Sequence, residues 1–313
     1  MILIVMITSL IFEAKSRIVL VFLILLATAC GSDTASSHQT QVVVTTSVWG
    51  DVVSEIVGDQ ADVEVLIPRG ADAHDYQPTP QQVASIDAAD LVVSNGLGLE
   101  EGLGDILEAA ERDGVTVLEV GPHLEPIPFA GDEEHEHEDL DPHVWFDPIR
   151  VAAATELIAS RLAAIDDSVD WSARAVEYSE ALVEADREIE ATLASVAEDS
   201  RSLVTNHDSL EYFAEVYGFE VVGVVIPGGS TLGDPSSAEL ADLVDVINTE
   251  GVPAIFTETS QSSDLAEAVA GEVGHDVEVV ELFTESLDAE GEPAGTLIGM
   301  LVENARRISS ALS

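Results

Sequence analysis

The sequence predicts an α/β protein made of two parallel-sheet lobes joined by one long helix. Three observations predict it. Short apolar, β-branched runs alternate with helical stretches over residues 42–168 and again over 200–313. Strands that alternate with helices belong to parallel sheets covered on both faces. Between the two halves, residues 171–198 read WSARAVEYSEALVEADREIEATLASVAE. This stretch has no internal Gly or Pro and is rich in Ala, Glu and Leu, which favour helix. At about 1.5 Å per residue it spans ~40 Å, the length of a domain.

The elements follow in order. QVVVTTSV (41–48) is an apolar strand, and a helical stretch runs from Trp49 to Val57. VEVLIP (63–68) is the second strand. Thr79-Pro80-Gln81-Gln82 has the spacing of a capping box with proline at the first helical position. LVVSN (91–95) is a strand, 101–112 a helix and VTVLEV (115–120) a fourth strand. Asp147-Pro148 opens a helix that runs to about Ile165. After the long helix the reading is strand 202–205, helix 209–217, strand 220–226 and helix 237–249, the last with Ser236 and Glu239 at capping-box spacing. Strand 254–257, helix 263–273, strand 277–282 and helix 296–311 complete it.

Charge excludes several function classes. The 313 residues carry 11 Lys+Arg against 60 Asp+Glu, a net charge of −49. A nucleic-acid partner needs a basic face that releases counterions from phosphates, and this chain has none to offer. The same balance opposes docking on anionic lipid. Lys15 is the only lysine and lies in the N-terminal segment, so the body of the chain holds neither a Schiff-base nor a Walker lysine. With 46% apolar residues the chain builds real cores and is no disordered acidic tail.

The N-terminus reads as an export signal with a lipid-attachment site. Lys15 and Arg17 precede the apolar run IVLVFLILLATA (18–29), which is short for a membrane span of about 20 residues. Cys30, the sole cysteine, follows small residues and precedes the polar stretch GSDTASSHQT. This resembles a bacterial lipoprotein signal, cleaved before Cys30 and acylated on its thiol. The expected organisation is signal 1–29, tether 30–41, N-terminal lobe 42–168 with an acidic histidine loop at 131–140, linking helix 169–199 and C-terminal lobe 200–313. Loss of Glu13, Lys15 and Arg17 with the signal takes the charge from −49 to −50. The mature protein is then extracytoplasmic and touches the membrane only through its lipid anchor.

The histidines carry the chemistry. Of eight, His38 lies in the tether, and His123 and His275 read as surface residues. His74 follows a strand in IPRGADAHDYQPTP, His143 sits in DLDPHVWFDP, and His207 stands at a strand end in LVTNHDSLEYF. Taken singly, each has an ordinary alternative as a loop histidine with a local hydrogen bond. All three fall where loops leave the carboxyl ends of strands, where open α/β sheets gather ligands. Three imidazoles suit a zinc ion, which asks for a fourth donor. Glu285 in ELFTESLDAEG and Glu258 in IFTETS both follow strands and compete for that place. Residues 132–143, DEEHEHEDLDPH, put His135 and His137 among six acids ahead of Asp141. That tract reads either as a solvated acidic loop or as an auxiliary collector of divalent cations.

These blocks resemble the zinc/manganese class of ABC-transporter solute-binding lipoproteins, cluster A-I. The matching blocks are TTSVWGDVVSEIVGD, IPRGADAHDYQPTP, ADLVVSNGLGLE, DPHVWFDP, NHDSLEYFAEVYGF, GDPSSAEL, AIFTETS and ELFTESL, in the family's order over about 42–290. The resemblance implies two lobes on a rigid helix with metal in the cleft between them. It implies His74 and His143 from the first lobe, and His207 and Glu285 from the second. The family commonly has Asp where this chain has Glu285, and manganese-type members usually have an acid where it has His207. Three histidines therefore tilt the expected cargo towards Zn2+, with Mn2+ second. The implied partners are a permease dimer and a separate ATPase subunit, with the binding protein itself a monomer and no enzyme.

Two other functions compete. A zinc hydrolase needs an open coordination position and a nucleophile, and no HExxH or GxSxG pattern is present. A metal-binding surface adhesin is the third reading. An acid excess with almost no lysine also points to a surface adapted to salt, where counterions screen self-repulsion. The thermal midpoint is therefore expected to rise from dilute buffer to molar salt; a flat response in a salt series measured by calorimetry contradicts that adaptation.

Overall fold

In the computed structural model, residues 39–129 and 140–313 are described. The signal 1–29, Cys30, His38, His135 and His137 lie outside the described residues. Among the described residues no helix is long and apolar enough to cross a membrane.

Two four-stranded sheets form, and every strand pair in them is parallel. The first holds β1 (Thr40–Val44), β2 (Ala61–Val65), β3 (Leu91–Ser94) and β4 (Val117–Glu119) in the order β2-β1-β3-β4. The second holds β5 (Ser202–Thr205), β6 (Glu220–Val224), β7 (Ala254–Glu258) and β8 (Glu278–Leu282) in the equivalent order β6-β5-β7-β8. The central strands are apolar because both faces are covered: all of β3 and all of β7 are buried. Each sheet reverses its strand order beside its first strand, and the loops at that switch point open a crevice.

The helices are α1 (Ser47–Val57), α2 (Pro80–Ala88), α3 (Gly104–Asp113), α4 (Pro148–Ile165), α5 (Ser172–Leu193), α6 (Glu211–Tyr217), α7 (Ser237–Glu250), α8 (Asp264–Glu272) and α9 (Leu297–Leu312). Both expected capping boxes form, Thr79 with Gln82 on α2 and Ser236 with Glu239 on α7. Asp147 caps α4 by accepting from the amides of Ile149 and Arg150, with Pro148 at the first position.

Several boundaries shift by a few residues, the second strand from 63–68 to Ala61–Val65 among them, and three of the differences have a clear local reason. The first strand ends at Val44 rather than 48, because Thr46 accepts the Trp49 amide (3.2 Å) and starts α1 early. The helix expected from 101 begins at Gly104. The buried Glu100 carboxylate accepts from Thr45 Oγ1 (2.6 Å), the Asn95 amide (2.8 Å) and the Gly96 amide (3.2 Å), folding this stretch into a tight loop. The long helix ends at Leu193 instead of 198. There the Arg201 guanidinium donates to the carbonyls of Leu193 and Val196, satisfying acceptors that a longer helix would have used, and also to the Tyr217 carbonyl at the end of α6.

At 22 residues α5 is roughly 33 Å long. It buries Ala175, Tyr178, Leu182, Ala185, Ile189 and Leu193, a stripe at helical spacing, against α4, α9 and α1. One apolar cluster runs from Val42, Trp49 and Val92 through Leu162, Leu182 and Ile189 to Phe256, Leu282 and Met300. A smaller cluster, with Val204, Leu243, Ile247 and Ile255, closes the other face of the second sheet. Asp51 of α1 ties the pieces further: its Oδ2 accepts from Tyr178 of α5 (3.0 Å) and from the Leu297 amide of α9 (2.9 Å). The carboxyl ends of the two sheets, with their loops, are thus held in register by continuous packing.

Candidate metal centre

The loops leaving the strands bring four side chains to one point. His74 lies between β2 and α2, His143 after β4, His207 directly after β5, and Glu285 after β8. Their candidate ligand atoms all lie within 4.8 Å of one another. Glu285 Oε1 is 3.0 Å from His74 Nε2, 3.3 Å from His207 Nε2 and 3.9 Å from His143 Nε2. The Nε2 atoms of His143 and His207 are 3.1 Å apart. None of the four residues is more than 3% exposed. His123 and His275 are exposed and stand apart from this cluster.

Carboxylates behind the rings aim them. His143 Nδ1 donates to Asp141 Oδ1 (2.7 Å), which also accepts the His143 amide (2.9 Å). His207 Nδ1 donates to Glu258 Oε1. With the protons assigned to Nδ1 by these bonds, both rings turn an Nε2 lone pair inward. Glu285 Oε2 accepts the Ala73 amide (3.1 Å), so only Oε1 faces the imidazoles. Trp145 fixes the same loop by donating to the Thr284 carbonyl (2.8 Å).

Lone pairs of two rings and a carboxylate oxygen, facing one another away from water, repel unless a cation or a proton stands between them. Glu285 Oε1 and His74 Nε2 have no hydrogen-bond partner despite full burial. Donors placed about 2.0–2.1 Å around a tetrahedral zinc lie about 3.3–3.4 Å from each other. The observed separations of 3.0, 3.1, 3.3 and 3.9 Å bracket that edge. The arrangement fits a dehydrated divalent cation.

Electrostatics agree with the geometry. Burial works against a charged His143 and a charged His207. The carboxylates nevertheless prevail: Asp141 and Glu285 raise His143, and Glu258 and Glu285 lift His207 well above the ordinary 6.5. For Glu285, burial pushes upward, but the facing imidazoles of His143, His207 and His74 hold it well below the usual carboxylate range. Burial and the neighbouring Glu285 push Asp72 up to about 6.

Glu258, the rival fourth donor in the sequence reading, sits behind His207 as its orienting group. Asp141 and Asp72 were not singled out from sequence, although a signal existed. Each of the two first-lobe histidines in the cluster has an aspartate two residues earlier, in Asp72-Ala73-His74 and Asp141-Pro142-His143, and each aspartate accepts the histidine amide, at 2.8 and 2.9 Å. The acidic loop with His135 and His137 lies outside the described residues.

Two outcomes follow. Glu258→Gln keeps the shape behind His207 but removes the charge; zinc affinity, measured by chelator competition, is expected to fall roughly ten- to hundredfold. Protons compete with metal for His143 and His207, whose raised values mean that competition begins above pH 6.5. In the metal-free protein those protons stabilise the fold fully below the unfolded value and are lost as pH rises through the folded one. The rise in thermal midpoint on adding zinc is therefore expected to be larger near about pH 8 than near about pH 5.5. An equal rise at both, read by scanning fluorimetry, contradicts this.

Comparison with known proteins places the fold and the family. The family model described as zinc-uptake complex component A, periplasmic, matches residues 42–311. The manganese-binding lipoprotein MntA of Bacillus subtilis is 34% identical over 296 residues, covering 91% of this chain and 94% of its own. The zinc-binding protein TroA of Treponema pallidum is 31% identical over 287 residues, covering 90% and 91%. The solved structure of that periplasmic zinc-binding protein superposes with a TM-score of 0.80, covering 88% of this chain and 99% of its own. A manganese-bound periplasmic metal-binding protein from Candidatus Liberibacter asiaticus superposes at 0.76 with 26% identity, covering 88% and 100%. Two parallel-sheet lobes, a buried cluster of donors and a match along nearly the whole folded chain lead to one conclusion: the chain belongs to the zinc-uptake component A family, the cluster A-I solute-binding proteins of metal ABC transporters, and is not an enzyme.

Proposed function

We propose that this protein captures Zn2+ outside the cytoplasm, with Mn2+ a weaker cargo, and hands it to the permease dimer of an ABC importer driven by a separate ATPase subunit. His74, His143, His207 and Glu285 are the ligands, and His135 and His137 form an auxiliary collecting loop. Cys30 carries the lipid anchor, and the protein acts as a monomer. Residues 42–168 and 200–313 are the lobes, and 169–199 is the connection on which they are mounted.

The observation that carries this reading is the convergence of three Nε2 atoms on Glu285 Oε1 in a buried site between the two sheets. The preference for zinc rests on the other carboxylate oxygen. Oε2 is engaged by the Ala73 amide at 3.1 Å, so Glu285 offers one oxygen and the donor set is N3O. Four donors with three imidazoles favour tetrahedral zinc, whereas manganese favours more oxygen ligands and higher coordination. Relatives named for manganese and for zinc support cation transport in general and leave the choice to this local chemistry.

The test is elemental analysis of protein purified without chelator, paired with zinc–manganese competition on His143→Ala and the parent. The expected result is one zinc per chain. His143→Ala should weaken zinc binding on the order of hundredfold or more. Wild-type affinity in that variant, or tighter manganese than zinc in the parent, overturns the corresponding part of the reading.

A further inference from the structure

One segment of the second lobe reaches across to the first beside His74. It is Gly228-Gly229-Ser230-Thr231, in the loop between β6 and α7. Gly228 has φ of +101°, a backbone conformation that glycine adopts without strain. Gly229 lies so close to the Phe129 ring that a Cβ there would overlap it. Ser230 Oγ donates to Glu101 Oε1 (2.6 Å), and Thr231 Oγ1 donates to Asp72 Oδ2 (2.5 Å).

Both acceptors border His74. Asp72 Oδ1 accepts the His74 amide (2.8 Å), and Glu101 Oε1 is 3.7 Å from His74 Nδ1. Asp72 Oδ2 also accepts from the Gln261 side chain. Gln261 belongs to the loop after β7, where its amide meets the carbonyl of Glu258 (3.3 Å), the residue that aims His207. A hydrogen-bonded path thus joins His74 of one lobe to His207 of the other without passing through the donor cluster.

We propose that residues 228–231 form a strap that fastens the His74 loop in its metal-binding position, with Ser230 and Thr231 as positioning residues that set how long a divalent cation stays bound. The inference rests on His74 being a metal ligand. Neither hydroxyl belongs to the four-donor cluster. The strap therefore changes how long the site stays assembled, and leaves which atoms compose it untouched. Its bonds go to carboxylates, so each is stronger than a neutral pair. They exist only while the 228–231 loop lies against the His74 loop, so their loss is read in release more than in entry.

The experiment uses the full chain, zinc-loaded and mixed with excess chromophoric chelator in a stopped-flow instrument. The variants are Ser230→Ala, Thr231→Val and Asp72→Asn, with the double variant Thr231→Val/Asp72→Asn. Ser230→Ala and Thr231→Val are each expected to speed release roughly tenfold or more, with the entry rate changed less than about twofold. Thr231→Val is expected to add little once Asp72 is Asn, because the two share one bond. Ser230 is partly exposed and acts through a different acceptor, so Ser230→Ala reads the strap even if Thr231→Val fails to fold. Release at the parent's rate in the variants that fold overturns the strap. So does equal acceleration of entry and release, which marks a simple portal. If the parent itself binds no zinc, the ligand assignment has failed instead, and the two failures are told apart by that first measurement.

Discussion

A single carboxylate oxygen facing three imidazole nitrogens is the contact on which the rest of the structure depends. Glu285 Oε1 has no hydrogen-bond donor of its own, is buried, and lies 3.0–3.9 Å from three Nε2 atoms. Such a cluster is unfavourable by itself, since lone pairs and negative charge meet in a region without water. It persists because three of its four members are held from behind, and the backbone of the fourth, His74, is held by Asp72. Asp141 holds His143, Glu258 holds His207, and the Ala73 amide holds Glu285. A divalent cation that satisfied all four together would offset the free energy of burying these polar groups.

The two sheets supply that geometry by the same device used twice. Each has its order reversed around its first strand, and each sends loops from the carboxyl ends of its strands into the shared crevice. A ligand at this seam joins parts of the chain as distant as His74 and Glu285. The apolar cluster through α5 and the Asp51 bonds to Tyr178 and Leu297 keep the lobes from separating as free bodies. Motion at the site then belongs to the loops at the seam more than to the packed helices beneath.

Much of this was legible in the chain. Strand and helix positions follow from apolar periodicity and capping residues, and they were off by only a few residues at most boundaries. The misses fall where a side chain overrides a local preference: Thr46 starting α1, Glu100 tightening the loop ahead of α3, Arg201 ending α5. For the site, His74, His143 and His207 stood out because they follow strands. The choice between Glu258 and Glu285 was not legible from spacing, because both follow strands and both reach the same crevice. Their roles differ only by which one meets Nε2 and which meets Nδ1.

Composition and pattern by themselves determined the α/β class, the long helix, the exclusion of nucleic-acid and lysine chemistry, and the three histidines. These depend on properties that act locally or sum along the chain: periodicity, propensity, capping and net charge. Tertiary structure alone decided which carboxylate faces the cluster, which ones orient the rings, and how the glycine-rich stretch at 228–231 meets Asp72 and Glu101. Those outcomes turn on distances of a few ångströms between residues far apart in sequence, and no local preference encodes them.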